Sequence, residues 1–273
     1  MGALANRLRV SVGQYSDKGR KAINQDFHGA TVPGEPQLSS KGIVVALADG
    51  ISSSDVGHVA SASAVKCFLD DYYCTSEAWS VKKSAQRVLT ATNSWLHSQT
   101  RRSQYRYSME KGYVCTLSAV VLKASTAHVF HVGDSRVYHL HEGNLELLTE
   151  DHRVVVSEDQ SYLSRALGVD SQLDIDYRAV GIAAGDCLVL ATDGVYEFVP
   201  DASMVRAIRE SADDLDAAAR RIGETAYANG SDDNLTVQIV RVDAIQQQGA
   251  AEGVQLVALR LLVGHRSTKH DVD

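Results

Sequence analysis

Three apolar runs in this chain each stop on an aspartate beside a glycine. "GIVVALADG" ends at Asp49-Gly50, "CLVLATDGV" at Asp193-Gly194, and "HVFHVGDSR" at Gly133-Asp134. Short uncharged runs bounded by turn formers read as buried strands, and a carboxylate at the end of such a strand is costly to desolvate unless something positive meets it. For a single Asp-Gly the simplest reading is a helix cap or an Asx-turn. Asp49 stands a few residues before a helical pattern, so that reading applies most directly there. It explains the set less well. Asn24-Gln25-Asp26 near the N-terminus and "GSDDNLT", with Asp233, before the last strand bring the acidic positions to five: Asp26, Asp49, Asp134, Asp193 and Asp233. If the strands share one core, their ends can converge at one rim. Hard divalent cations such as Mg²⁺ and Mn²⁺ take carboxylate, carbonyl and water oxygens, and with few His or Cys at these positions the pattern does not fit zinc. A glycine after the aspartate also leaves a backbone carbonyl accessible.

Period-2 patterns and β-branched residues place strands at 7–15, 42–48, 114–123, 126–133, 136–143, 173–182, 186–192 and 235–242. Short turns separate most of them, so consecutive strands are expected to be antiparallel. Helical periodicity falls at 55–73, 80–100, 203–211 and 214–230. Helices arrive in adjacent pairs rather than after every strand, which argues against a doubly wound sheet. The expected fold is α+β, a four-layer α-β-β-α sandwich of two antiparallel sheets flanked by helix pairs. No linker composition interrupts residues 1–243, which read as one domain; residues 244–273 lose the strand pattern and read as a tail, a linker remnant.

Net charge is −7, spread along the chain, so the basic footprint of a nucleic-acid binder is missing. Cys67, Cys74, Cys115 and Cys187 show no Cys-x-x-Cys spacing and read as reduced thiols of a cytoplasmic protein. The N-terminus lacks a signal-peptide core, and the apolar run at 254–264 is broken by Arg260 and too short to span a bilayer, so no membrane partner is expected.

In motif order the chain resembles the metal-dependent serine/threonine protein phosphatases of the PPM (type 2C) family, bacterial type. The matching stretches are "DKGRKAINQD" (17–26), "VVALADGI" (44–51), "GDSRVY" (133–138), "LSRALG" (163–168), "LATDGV" (190–195) and "DDNLTV" (232–237). The resemblance implies hydrolysis of phosphoserine and phosphothreonine in proteins, with a hydroxide bridging two Mn²⁺ or Mg²⁺ ions and a serine/threonine kinase as the opposing enzyme. It implies that Asp49 bridges the metals with the Gly50 carbonyl on the first, that Asp193 and Asp233 hold the second, and that Asp134 with Asp193 holds a weaker third. By the same resemblance Asp26 orients metal-bound water, Asn234 supports Asp233, and Arg136 is a structural ion-pair partner.

The chain also departs from that pattern. The common Asn-Glu-Asp is here Asn24-Gln25-Asp26, where a neutral Gln25 can still hydrogen-bond a metal water but removes one charge. Lys21 stands at the spacing of the phosphate-binding arginine, with Arg20 beside it, and either can hold phosphate; spacing favours Lys21. The segment 148–168 is short where many relatives insert a longer flap, implying an open groove. Ile51 replaces a histidine some members carry. His58 and His152 are candidate replacements, with surface or structural roles the simpler reading, so the leaving-group acid falls by default to metal-bound water.

Other features have plainer readings. His128, His131, His139 and His141 read as strand histidines because no third ligand has suitable spacing, Trp79 and Trp95 read as core anchors, and the Tyr-rich 103–113 reads as a connecting loop. Two further functions stay open: a non-catalytic interaction module that keeps the fold, motivated by Gln25, Lys21 and Ile51, and a metallo-phosphoesterase acting on small molecules.

Overall fold

The computed structural model describes residues 8–157 and 160–245. The stretch 1–7 and all of the expected tail beyond Ile245 lie outside the described residues. Among the described residues twelve strands and six helices follow in the order β1 (Arg9–Asp17), β2 (Asp26–Thr31), α1 (Gln37–Lys41), β3 (Ile43–Asp49), α2 (Gly57–Asp71), α3 (Val81–Arg102), β4 (Leu117–Lys123), β5 (Thr126–Val132), β6 (Arg136–His141), β7 (Asn144–Leu147), β8 (Arg153–Ser157), β9 (Gln160–Leu163), β10 (Asp176–Gly181), β11 (Cys187–Ala191), α4 (Asp193–Tyr196), α5 (Asp201–Glu210), α6 (Leu215–Ala228) and β12 (Leu235–Ala244). They build two five-stranded antiparallel sheets, β1-β12-β11-β6-β7 and β10-β5-β4-β3-β2, and a separate β8-β9 hairpin.

The layers follow from side-chain alternation. Along β3, Val44, Ala46 and Ala48 pack with Phe68 of α2 and Leu89 of α3, whereas Ile43, Val45 and Leu47 join Leu188 and Leu190 of β11 between the sheets. On the opposite sheet, Val189 and Ala191 pack outward with Ile208 of α5 and Ile222 of α6. Both faces of the central strands are therefore covered. That is why their sequences read as unbroken apolar runs and not as alternating ones. Ser80 caps α3 by accepting from the Lys83 N–H, and Asp214 caps α6 through the Ala217 N–H.

Each of the expected strands and helices has a counterpart, with corrections of detail. Successive strands are antiparallel, but β5 and β6, and likewise β10 and β11, lie in different sheets, and β1 pairs with β12 across nearly the whole chain. Strand β2 was not expected: "DFHGAT" carries a glycine and a histidine where a strand pattern wants apolar residues, and it forms because it zips along β3. The tryptophans are not core anchors. Trp95 is 44% exposed, and Trp79, half-buried, lies under the Lys83 ammonium. Cys115 and Cys187 are buried small hydrophobes, while Cys74 is exposed. Among the described residues no helix is long and apolar enough to cross a membrane.

Candidate active site

The aspartates meet where both sheets end at the same rim. Asp26 opens β2 and Asp49 closes β3, and the two are register partners. Asp134 sits in the turn that carries the chain from β5 to β6, Asp193 follows β11 at the start of α4, and Asp233 precedes β12. Asp49 does not cap α2, whose N-cap is Val56 with no side-chain bond. Its backbone is instead clasped by Thr116, whose Oγ1 accepts from the Asp49 N–H at 3.0 Å and whose N–H donates to the Asp49 carbonyl at 2.8 Å.

The glycines are explained by close backbone approach. A Cβ on Gly50 would lie 2.4 Å from the Gly57 backbone, and one on Gly194 would lie 2.1 Å from the Asn234 carbonyl oxygen. The latter approach holds Asp193 and Asp233 on facing loops. Gly194→Ala is expected to cost about 2 kcal/mol or more of stability by overpacking against backbone. Gly181→Ala, where a Cβ would meet nothing within 4 Å, should be nearly neutral in the same urea unfolding titration.

Electrostatically the rim is overloaded with negative charge. Burial, partly offset by hydrogen bonds from Thr236 and Thr192 and by contact with Asp49, pushes the Asp26 carboxyl up to about 6. Burial and then Asp26, Asp193 and Asp134 hold Asp49 well above the ordinary carboxylate range. Burial and repulsion by Asp134 and Asp233 push Asp193 up to about 7 against the pull of Arg153. Asp26 Oδ2 accepts from Thr192 at 3.0 Å, but its buried Oδ1 has no hydrogen-bond donor. An orphaned carboxylate oxygen next to a second carboxylate is a place for a cation. The donor set is all oxygen, which fits Mg²⁺ or Mn²⁺. No three of these carboxylates bring oxygens within 4.8 Å of one another, and basic side chains meet two of them: Lys21 Nζ lies 3.0 Å from Asp233, and Arg153 reaches Asp193 at 2.7 Å.

The remaining candidates divide into those at the rim and those that support it. Lys21 is at the mouth of the site; burial opposes its charge, but the hydrogen bond and attraction of Asp233 outweigh it and raise its pKa. Arg20 is engaged elsewhere, donating to the carbonyls of Tyr227 in the last turn of α6 and of Gly230 and Ser231 just beyond it, and lying over the Tyr227 ring. The Gln25 side chain donates to the Ser54 carbonyl and so secures the loop after Asp49. Asn234 accepts from the Gln25 N–H and donates to the Lys18 and Ile23 carbonyls, tying the Asp26 loop to the Asp233 loop. Arg136 pairs with Asp151 and lies 3.9 Å from the Tyr196 ring centroid.

The histidines are placed as follows. His58 is exposed in the first turn of α2. His152 is buried, accepting from the Gly133 N–H through Nδ1 and bonded to Asp176 through Nε2, so it braces the Asp134 turn. His128 pairs with Tyr177, and His131 with Ser118 and the Glu150 carbonyl. For His139 and His141 the expectation of no third ligand is corrected, since Asp186 binds both.

Sequence reasoning missed Arg153. From β8 its guanidinium reaches Asp134 at 2.5 Å, Asp193 at 2.7 Å and Glu197 at 2.8 Å. Burial opposes that charge, but attraction by Asp134 prevails and its pKa is raised. The partners lie 19, 40 and 44 residues away, and no local pattern announces the contact.

The family model for protein phosphatase 2C matches residues 14–227. The chain belongs to the protein phosphatase 2C family. It is 31% identical over 256 residues to the serine/threonine phosphatase stp of Listeria monocytogenes serotype 4b, a match covering 85% of this chain and 96% of that one. Its fold is similar to that of the Mycobacterium tuberculosis serine/threonine phosphatase PstP/Ppp, with a TM-score of 0.71 at 23% identity over 86% of this chain and 99% of that one. It is also similar to the catalytic domain of PstP in complex with two manganese ions, with a TM-score of 0.70 at 24% identity over 86% of this chain and 99% of that one. Two main antiparallel sheets with helices outside are thus the architecture of this phosphatase family as well as of this chain.

Proposed function

We propose that this protein phosphatase 2C chain removes phosphate from phosphoserine and phosphothreonine in proteins, using Mn²⁺ or Mg²⁺ at the five-aspartate rim. The carrying observation is the convergence of Asp26, Asp49, Asp134, Asp193 and Asp233, with charge so poorly compensated that three of them are held in the proton-binding range. Asp49 with the Gly50 carbonyl, Asp193 and Asp233 are the residues that would hold two cations, and such ions supply an activated water and neutralise phosphoryl oxygens. Asp26, fixed by Thr192, is positioned to accept a proton beside Asp49. Arg153 already supplies positive charge where Asp134 and Asp193 face each other, so a third cation there would have to displace a guanidinium. Titration of the metal-free protein with Mn²⁺ should therefore count two tight sites; three of equal affinity would refute that reading. An opposing serine/threonine kinase and a cytoplasmic location are the setting this activity supports, and residues 1–243 are its domain.

The phosphate role falls to Lys21, because Arg20 spends its donors on backbone carbonyls. Lys21→Met is expected to raise the KM for a phosphothreonine peptide about tenfold, the loss of one charged hydrogen bond, with a smaller change in kcat. Arg20→Met should leave KM alone and lower Tm. The reverse pattern would move the phosphate site to Arg20.

Turnover of p-nitrophenyl phosphate and of a phosphothreonine peptide, against Mn²⁺ and Mg²⁺ with an EDTA control, tests the whole reading. Metal-dependent hydrolysis of the peptide is expected. No turnover in a folded, metal-loaded protein would favour the interaction module, and preference for nucleotides over the peptide would favour a small-molecule phosphoesterase.

A further inference from the structure

Strand β6 carries a second group of ligands to the far end of the sandwich. Its residues Val137, His139 and His141 alternate onto one side of the strand, and Val137 lies in the core between the sheets. Antiparallel to it, β11 starts just after Asp186 and ends just before the catalytic Asp193. At about 3.3 Å per residue, Asp186 is roughly 23 Å from the catalytic rim.

There Asp186 faces both histidines. His139 Nε2 lies 2.8 Å from its Oδ2, and His141 Nδ1 lies 2.7 Å from its Oδ1. Asp186 is only 4% exposed and is held on both sides: the Ala183 N–H donates to its Oδ2 at 2.9 Å, and its main-chain carbonyl accepts from the Val242 N–H. Among the described residues no Lys or Arg pairs with it. His139 is also buried, whereas the His141 side chain is 52% exposed, and beside the pair opens a cleft of about 480 Å³ lined by Glu142, Asn144 and Glu146.

We propose that His139, His141 and Asp186 form a second metal site, selective for a zinc-like transition ion. The three ligand atoms already lie within 4.8 Å of one another. Bonds of about 2.0–2.2 Å in tetrahedral geometry place ligands about 3.3 Å apart, so each N···O contact needs to open by about 0.5 Å. The half-exposed His141 can supply that movement at its own contact, while the contact between buried His139 and Asp186 has to open by a small shift of the His139 ring. Two imidazoles and one carboxylate suit Zn²⁺ or Co²⁺ and not Mg²⁺, the opposite preference to the all-oxygen rim. The cleft leaves the fourth position to water. Such an ion clamps β6 to the start of β11, so its effect is on stability and not on turnover.

The test uses the full chain in a Cys74→Ser background, which removes an exposed thiol as a competing ligand. With Mg²⁺ saturating the rim, Co²⁺ and then Zn²⁺ are titrated, read by cobalt visible absorption and by Tm. One ion per chain, a tetrahedral cobalt spectrum and a raised Tm are expected. His141→Ala should weaken that binding tenfold or more while leaving p-nitrophenyl phosphate turnover unchanged, and Asp49→Asn should leave the binding intact. Equal Zn²⁺ affinity in wild type and His141→Ala would overturn the proposal. So would uptake that Mg²⁺ blocks or Asp49→Asn removes. If the phosphatase reading failed for lack of turnover, the cobalt spectrum would still decide this site.

Discussion

Asp49→Asn is expected to lower kcat on the order of 10³-fold or more while making the metal-free protein more stable. Removal of a residue that only orients a metal ligand costs 10- to 100-fold, and Asp49 is the carboxylate that both cations would share, so its loss should exceed that range. The stability effect has the opposite sign for an electrostatic reason. Desolvation of Asp49 at the rim, together with the neighbouring Asp26, Asp193 and Asp134, drives its carboxyl toward the protonated form. Asparagine has nearly the shape of that protonated acid and never carries the charge. Tm without metal should rise by several degrees, and the further rise on adding Mn²⁺ should largely disappear. A variant that is inactive because it is misfolded would lose Tm, so kinetics and thermal unfolding together separate the two causes. Retention of normal metal-dependent turnover would remove Asp49 from the active site.

Stability of the metal-free protein is expected to fall as pH rises from about 4 to 7, and Mn²⁺ is expected to cancel most of that fall. Asp26 and Asp193 start from 3.8 unfolded and are raised in the fold to about 6 and about 7. A raised carboxyl binds its proton more tightly folded than unfolded, so its contribution is fully present below the unfolded value and is lost as pH climbs through the folded one. Each tenfold gain in proton affinity on folding is worth about 1.4 kcal/mol, so the roughly two and three tenfold steps at Asp26 and Asp193, with Asp49 beside them, amount to several kcal/mol lost. At this chain length each kcal/mol is roughly 2–4 °C in Tm, so the fall should exceed about 10 °C. The cation-loaded site meets the same negative charge with positive charge, so the metal-induced rise in Tm should be large at pH 8 and small at pH 5. Differential scanning calorimetry across that range, with EDTA or Mn²⁺, measures it. A metal-free Tm that rises steadily from pH 5 to 8 would show that the rim carboxylates are not poised as described.

Much of the fold was legible because its central strands are covered on both sides. Residues 43–48, 117–122 and 187–191 read as continuous apolar runs, and the amphipathic pairs α2 with α3 and α5 with α6 read as helices, since each pattern records which faces water must not reach. Strand β2 was not legible. Its place depends on hydrogen bonds to β3, and its own side chains carry little of the information. The tryptophans misled for a related reason: size alone does not say which side of α3 faces the sheet, and Trp95 lies on the exposed one.

The aspartate rim divides along the same line. Asp49, Asp134 and Asp193 announced themselves locally, as a charge where an apolar run stops, Asp26 and Asp233 as acidic residues in polar stretches, and Gly50 and Gly194 are required by backbone approaches of 2.4 and 2.1 Å. What only the tertiary structure decided is who meets whom. Arg153 arrives from a hairpin to bridge Asp134 and Asp193, Arg20 turns to the carbonyls at the C-terminal end of α6 and leaves Lys21 at the mouth, and Asp186 joins two histidines that looked solitary. The cost of burying a charge is a local property, written at each residue by its neighbours in the chain. The partner that meets that charge is a matter of distance in space, and sheet pairing alone brings such partners together.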